Sequence, residues 1–197
     1  MTQLLTRCVD IKFAVSMSYK ETLSNHGLGL IETRRICDKY FDTQGLDLLN
    51  VGAFLRERND VLELKEPVNW QGSYLGYNGA TEFSVSRGLQ AKEIVEKKFK
   101  IGLDKMIVTC SVEFDREHWS CVNYDVVIDR VMNDDVPGYI IGELKLKGPV
   151  EDPMSNSVER AENYLKELGF KRALDGKVVN SLRESNYSAR LKLIEMT

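Results

Sequence analysis

The chain has 197 residues, a length that suits one domain with a sizeable core better than two small ones. With 43% hydrophobic and 29% charged residues it is typical of a globular protein, and its formal net charge of −3 argues against a general nucleic-acid binder. We expect a cytoplasmic protein, because the four cysteines form no CxxC pair, no apolar run could span a membrane, and the first residues show no signal-peptide pattern.

The first predicted strand covers residues 9–13, where Val9, Ile11 and Phe13 alternate with polar residues. A capping box that opens at Ser18 predicts a short helix ending at His26-Gly27, and a turn-rich stretch follows at 42–47. Residues 54–58 and 61–66 are predicted to form a hairpin through Asn59-Asp60.

In the second half, strands are predicted at 81–86, 106–114, 120–129 and 138–147, with helices at 89–99, 158–168 and 178–194. The aromatic, glycine-rich stretch with Trp70 and Tyr74 to Tyr77 is interpreted as a loop that could cover the mouth of a cavity. Many strands with few helices and no linker predict one β-sandwich or β-barrel domain over residues 1–197.

The polar faces of these strands decide between sandwich and barrel. They group charged residues by parity: Asp10 with Lys12, Arg56 with Arg58, Glu63 with Lys65, Asp125 with Asp129, and Glu143 with Lys145. If these faces converge inside a barrel, several lysines and arginines are buried beside a few carboxylates. Such charges need a partner, and a triphosphate with its metal ion would supply one.

The residue types suit phosphoryl transfer. Arginine makes bidentate contacts to phosphate oxygens, lysine gives a compact charge, and carboxylates bind a hard divalent cation. The reaction needs positioning and charge neutralisation rather than a covalent nucleophile. The sequence accordingly has no P-loop, no HExxH motif and no recognisable catalytic triad.

The stretch from Cys37 to Thr43, the Arg56-Glu-Arg58 motif with Glu63-Leu-Lys65 after it, and the Gly138–Lys145 segment together resemble the CYTH, or triphosphate tunnel metalloenzyme, family. Within it the sequence is most similar to the thiamine triphosphatases. The resemblance covers nearly the whole chain. It implies an eight-stranded antiparallel β-barrel with a few flanking helices and Mg²⁺-dependent (possible also with Mn²⁺) hydrolysis of a triphosphate.

Carried over by position, the resemblance implies catalytic roles for Lys12, Arg56, Arg58 and Lys65, which also bind substrate. Arg116 and Lys177 match further phosphate ligands, and Phe54 is interpreted either as core or as a residue that stacks on the organic part of the substrate. Asp10, Asp129 and Glu143 match metal ligands. Arg116 shares its parity with the apolar Val112 and Phe114, so we expect a bulge or strand end to turn it inward.

Two departures from the family pattern concern the metal. This chain has Cys8-x-Asp10-x-Lys12 where the family has Glu-x-Glu-x-Lys, and Glu143-x-Lys145 where the family has Glu-x-Glu. Two carboxylates are therefore missing and one positive charge is gained. We expect one metal position to be weakened or absent.

The sequence thus predicts a monomeric, Mg²⁺-dependent triphosphate hydrolase, with thiamine triphosphate as the favoured substrate and no nucleic-acid or membrane partner. Three alternatives stay open: a triphosphatase of the same fold acting on inorganic or nucleoside triphosphate, a triphosphate-binding protein with weakened catalysis, and a lipocalin-like carrier of an apolar ligand. The charged inner faces argue against the carrier.

Overall fold

The computed structural model describes residues 6–67, 80–133, 136–147, 154–173, 176–183 and 187. Residues 6–8, 80–83, 133, 136–137 and 154–155 are described by their backbone only. The interpretation of Trp70 and of Tyr74 to Tyr77 as a covering loop falls outside these ranges.

Within the described ranges, nine antiparallel strands form one sheet. They are β1 (Thr6–Ala14), β2 (Gly29–Asp42), β3 (Phe54–Arg58), β4 (Val61–Pro67), β5 (Ala80–Arg87), β6 (Ile107–Ser120), β7 (Tyr124–Asn133), β8 (Val136–Leu146) and β9 (Lys171–Arg172). Strand pairing runs in the order β1-β5-β4-β3-β2-β6-β7-β8 and returns to β1, while β9 adds to the end of β1 beside β5. This confirms the predicted antiparallel β-barrel architecture with a few helices.

The helices pack mainly on the outside of the barrel. They are α1 (Tyr19–Asn25), α2 (Asp47–Asn50), α3 (Gly88–Lys97), α4 (Met154–Glu167) and α5 (Lys177–Arg183), with a 3₁₀ turn at Leu103–Lys105. The apolar face of β1 carries Ile11 and Phe13 and packs with Leu23 of α1 and Leu165 of α4. A second outer cluster joins β3 and β4 to α3. The apolar residues of these strands therefore point outward, and the polar ones face the interior.

One end of the interior is apolar. Val178, Val179 and Leu182 of α5 pack there against inward residues that include Val112 and Phe114. The predicted helix at 178–194 is therefore present from Lys177 to Arg183, and the rest of its predicted range, apart from residue 187, lies outside the described residues. Because α5 closes this end, the polar interior opens towards the β3–β4 hairpin.

Strand β2 is absent from the sequence prediction, although it joins β3 to β6. Its inward residues alternate between charged and apolar (Arg34, Ile36, Asp38, Tyr40), and its first seven residues are exposed on both faces. Burial alternates from Ile36 to Asp42, but the buried positions include aspartates, so the residue types show no alternation of apolar and polar. The sheet instead forms through pairing with β6 along most of its length.

Other predicted elements differ in their bounds or caps, and the strand predicted at 120–129 runs from Tyr124 to Asn133. Strand β6 continues to Ser120 instead of ending at 114, because its charged end finds partners: Arg116 binds Asp129, and His118 lies 3.1 Å from Asp125. Helix α4 begins at Met154, four residues before the predicted start at 158. Helix α1 is present, but Ser18 makes no capping hydrogen bond through its side chain. Within the described ranges, no helix combines the length and apolar character needed to cross a membrane.

Gly142 of β8 lies where the outer face of the barrel is tightly packed. It lies opposite Phe13 in the ladder, and the Phe13 ring covers it while stacking on Phe170 with centroids 4.7 Å apart. A Cβ at this position would overlap the Phe13 ring.

We expect Gly142→Ala to lower the free energy of unfolding in urea by about 1–3 kcal/mol, the usual cost of overpacking. Gly29→Ala in β2 is the matched control, since a Cβ there would meet nothing within 4 Å. Equal stability of the two variants would contradict this packing.

Candidate anion-binding site

The interior of the barrel contains two adjoining cavities, a wide one of about 460 Å³ and a narrow one of about 70 Å³. Arg56 and Lys65 line both. Of the described residues that line either cavity, nine are basic and three acidic; the basic ones are Lys12, Arg34, Arg56, Arg58, Lys65, Arg87, Arg116, Lys145 and Lys177, and the acidic ones are Asp10, Glu63 and Glu143. The lining thus has a large excess of positive charge.

The two arginines of β3 are held by buried carboxylates. Arg58 binds both oxygens of Asp38, through Nε at 2.6 Å and through Nη2 at 2.5 Å. Arg56 donates to Glu63 from Nε at 3.0 Å and from Nη2 at 2.7 Å. Asp38 is fully buried; burial would raise the pKa of this carboxyl, but Arg58 and Arg56 hold the pKa below its usual value. These pairs fix the guanidinium groups in position before any ligand binds.

Arg116 faces the interior without a bulge, so the expectation of a bulge or strand end is wrong. The β6 ladder pairs Phe114 with Val131 and Arg116 with Asp129 in unbroken register. Val112 and Phe114 share the parity of Arg116 because they face inward too, at the end closed by α5. The Phe114 ring stacks against cations instead of solvent, with Lys177 Nζ 4.1 Å from its centroid.

Asp129 is fully engaged by cations. Arg116 binds its two oxygens at 2.7 and 2.8 Å, and Lys177 Nζ also donates to it. Burial would raise the pKa of Asp129, but Lys177 and Arg116 hold the pKa below its usual value. Lys177, placed by the resemblance alone, does reach the interior: it begins α5, and it lines the narrow cavity.

Lys65 crosses the interior to the carboxylates of β1 and β8. Its ammonium donates to Oδ2 of Asp10 and lies 3.6 Å from Oε1 of Glu143. Lys145 lies 3.8 Å from the same Glu143 oxygen. Burial would raise the pKa of Glu143, but Lys145 and Lys65 hold the pKa well below its usual value.

Lys12 differs from the other cations. It lies opposite Glu143 in the ladder, yet its ammonium makes no hydrogen bond or ion pair with the part of the chain that the structure describes. Burial and the nearby Lys65 lower the pKa of Lys12. Its stem passes over Gly176, where a Cβ would come within 2.6 Å of Lys12 Cε. The bare backbone of Gly176 leaves room for the Lys12 stem in this position, and a side chain there would displace the stem.

Phe54 lines the narrow cavity together with Tyr40 and Val178. At about 70 Å³ this space has room for only a few water molecules. A large organic group does not fit beside Phe54 in this arrangement. The stacking role of Phe54 stays a prediction.

All ten predicted site residues face this interior. The prediction missed Arg34 and Arg87 at the wide mouth and Asp38 beneath the arginines. Asp38 belongs to the unrecognised β2, and only its pairing opposite Arg58 shows that both share a face. Arg87 shares a face of β5 with Val85, because the two are two residues apart. The sequence alone does not show which face of β5 is the inner one.

The interior offers a divalent metal ion few carboxylates that are not already bound to cations. Among the described side chains, no three of the types His, Cys, Asp and Glu form a group that could hold one, and Asp129 is bound to Arg116 and Lys177 instead. Asp10 and Glu143 do lie together around Lys65. The Asp10 side chain is 1% exposed, and its Oδ1 has no hydrogen-bond partner among the described residues. Since Mg²⁺ is often held by one or two carboxylates plus phosphate oxygens, these two residues fit an ion that arrives with a phosphate ligand.

The second departure from the family pattern is visible in this arrangement. Lys145 lies directly opposite Asp10 in the β1–β8 ladder, so a lysine faces Asp10 where the family pattern has a carboxylate. The side chain of Cys8 lies outside the described residues.

No protein-family model matches this sequence, and no curated protein sequence matches it. Solved structures do. A protein from Pyrococcus horikoshii shares 16% identity at a TM-score of 0.64, with 91% of this chain and 100% of that chain covered. Two others carry the name of a "putative" adenylate or adenylyl cyclase. The one from Vibrio parahaemolyticus has 12% identity, a TM-score of 0.58 and coverage of 89% and 97%.

The Hippeastrum cyclase, which reveals a dominant triphosphatase activity, has 17% identity, a TM-score of 0.55 and coverage of 94% and 95%. At these identities the likeness establishes a shared fold. The chain spans nearly the full length of each of these proteins.

Lys177 gives the site a predictable pH dependence. Burial lowers the pKa of Lys177 to about 8, although Asp129 acts in the opposite direction. A bound phosphate stabilises the ammonium form, so the free protein must take up a proton to bind once the pH exceeds this pKa. We therefore expect the affinity for tripolyphosphate, measured by isothermal titration calorimetry, to fall by roughly tenfold between about pH 7 and pH 9.

The control for this prediction is Lys177→Gln. The ligand itself titrates in this range, and its contribution cancels when the variant is compared with the wild type at each pH. The variant is expected to bind more weakly at pH 7 and to lose less affinity towards pH 9. Parallel pH profiles for the two proteins would contradict the role of Lys177.

Proposed function

We propose that this protein binds a triphosphate in the two interior cavities and hydrolyses its terminal phosphate. The observation that supports this most is the lining, in which nine basic residues accompany three acidic ones among the described residues. Asp38 and Asp129, which lie behind the lining and pair with its cations, raise the number of carboxylates to five, so the basic residues remain in excess. Cations in excess of their carboxylates in a poorly hydrated interior lose hydration without compensation unless an anion joins them. A chain of linked phosphates has the charge and the narrow, extended shape to meet them.

The cations are distributed so that three phosphates would be contacted along the interior. Arg34, Arg58 and Arg87 border the wide cavity, Lys12 and Lys177 border the narrow one, and Arg56 and Lys65 lie where the cavities meet. A triphosphate that extends from one cavity into the other would pass Arg56 and Lys65. Their position suits the linkage that is cleaved when the terminal phosphate is transferred, because cations of both cavities contact it there.

Hydrolysis at this position would use positioned charge. Phosphoryl transfer spreads negative charge over the transferred group and the leaving group, and preorganised cations stabilise both. Arg56 and Arg58, already fixed by Glu63 and Asp38, need little reorganisation when the phosphates bind. Lys65 and Lys12 can follow the charge as it moves, since lysine is a flexible point charge.

We propose Mg²⁺ as the cofactor, with Asp10 and Glu143 as the residues that would hold it. When bound, such an ion neutralises phosphate charge and polarises phosphate oxygens. Asp129 keeps Arg116 and Lys177 oriented towards the phosphates in this scheme. A cytoplasmic location, a monomeric state and the absence of nucleic-acid or membrane partners remain proposals that rest on the sequence.

Two substrates are proposed. The sequence resemblance favours thiamine triphosphate, whose organic part would have to lie at the wide mouth because the narrow cavity is too small. Inorganic triphosphate is the second candidate, supported by the wide lining, in which the described uncharged residues are limited to Asn59, Val61 and Val85. None of these three residues is aromatic, so they offer no ring surface on which an organic ring could stack.

A phosphate-release assay tests the proposed function. Thiamine triphosphate, tripolyphosphate and ATP are supplied with Mg²⁺, with Mn²⁺ and with EDTA. Release of one phosphate per substrate in the presence of a metal supports hydrolysis, and the fastest substrate defines the specificity. Tight tripolyphosphate binding without any release would favour the binding-protein alternative.

Lys12 offers the sharpest substitution, because removing it breaks no ion pair among the described residues. We expect Lys12→Met to lower kcat/KM by about 100-fold or more, as for loss of one preorganised charge-stabilising donor. The same variant should unfold at an equal or higher urea concentration, since a buried, unpaired ammonium destabilises the free protein. The control is Lys39→Met on the exterior of β2, where Lys39 is exposed and lies 3.3 Å from Glu57. Unchanged kcat/KM in a folded Lys12→Met protein would contradict the proposed site.

A further inference from the structure

Lys65 occupies the position between two carboxylates that a divalent cation would take. Asp10 and Glu143 come from the neighbouring strands β1 and β8, whereas Lys65 reaches them from β4 on the far side of β5. Its ammonium hydrogen-bonds to one and lies 3.6 Å from the other. A single positive charge thus bridges the pair.

The surroundings of this pair are positive in the free protein. Lys12 lies opposite Glu143 in the ladder, and Lys145 lies opposite Asp10 and 3.8 Å from Glu143. Three ammonium groups therefore surround two carboxylates. A divalent cation that entered alone would be repelled by all three at short range, in a poorly hydrated interior where such repulsion is strong.

One carboxylate oxygen of the Asp10–Glu143 pair nevertheless indicates that an additional ligand binds here. Oδ1 of Asp10 is buried and has no hydrogen-bond partner among the residues described here, although Oδ2 of the same carboxylate binds Lys65. A buried acceptor without a partner costs free energy in the free protein. The arrangement is therefore complete only when a further cation or donor is present.

We propose that Lys65 acts as an internal substitute for the divalent cation, so that the free protein has no divalent-metal site and takes up such an ion only together with a triphosphate. This inference rests on the proposed function. The negative charge of a triphosphate attracts the ammonium groups of Lys65, Lys12 and Lys145, and this frees Glu143 and both oxygens of Asp10 for the metal. By linkage, metal and triphosphate each strengthen the binding of the other.

The first test measures binding of Mn²⁺ alone, through the electron paramagnetic resonance signal of the free ion, in the absence of any phosphate. The wild type is expected to leave Mn²⁺ free at millimolar ion concentration. Lys65→Met is expected to bind one Mn²⁺ per chain, because Asp10 and Glu143 then lack their bridging cation. The control Lys39→Met removes a lysine from an exterior carboxylate and should behave as the wild type.

A second variant guards against misfolding of Lys65→Met, with circular dichroism used to establish folding of both. Position 145 faces Asp10, so Lys145→Glu exchanges one ammonium for a third carboxylate beside the pair while Lys65 stays in place. It too should bind Mn²⁺ without phosphate. Mn²⁺ binding by the wild type as tight as by these variants would overturn the inference, as would folded variants that both leave Mn²⁺ free.

The second test separates this inference from the proposed function. Tripolyphosphate is titrated into the wild type in EDTA and, as its preformed Mg²⁺ complex, in excess Mg²⁺. The inference predicts binding in both conditions, tighter for the complex by about fivefold or more. Absence of binding in both would refute the proposed function, whereas binding combined with uptake of Mn²⁺ by the free wild type would refute only the inference.

Discussion

The interior of this barrel is defined by one geometric constraint: every second residue of eight neighbouring strands faces the same space. Residues that lie opposite each other on neighbouring strands point to the same face, so the register of a strand pair determines which side chains meet in the interior. The pairing of Arg56 with Glu63 and of Arg116 with Asp129 follows from the register of their strands. Charged residues on these faces have no route to bulk solvent except along the barrel axis. Their charges must be balanced by one another or by a ligand.

The balance that the chain achieves by itself is incomplete. Asp38, Asp129 and Glu63 hold arginines and Lys177, and they fix the geometry of those cations. The carboxylates of Asp10 and Glu143 hold Lys65, while Lys12 remains buried without an ion pair among the described residues. Stability comes from elsewhere, from the outer clusters under α1, α3 and α4 and from the apolar end under α5. Because these apolar clusters stabilise the fold, the interior can keep more positive charges than its own carboxylates balance.

The sequence was informative where alternation was clean. The faces of β1, β3, β4 and β8 were predicted with the correct residues inside, because one face is apolar and packs under a helix or against the outer wall. It was uninformative for β2, whose two faces carry similar residues and whose strand character comes from pairing with β6, whose paired residues lie between 65 and 91 positions further along the chain. The expectation for Arg116 fails for a related reason: apolar residues such as Val112 and Phe114 usually indicate the outer face, whereas the end closed by α5 makes the inner face apolar there. The ion pairs of Asp38 and the bridging position of Lys65 depend on register between strands distant in sequence, which no local pattern contains.

The central claim is that the excess of interior cations is built for a chain of linked phosphates. Calorimetric titration of the wild type with phosphate, pyrophosphate and tripolyphosphate, at about pH 7 and constant ionic strength, tests it most directly. The account predicts one site per chain and an affinity that rises by about tenfold or more with each added phosphate, the effect of roughly one further charge-assisted hydrogen bond. Equal affinities for the three anions, or no binding of tripolyphosphate, would contradict it.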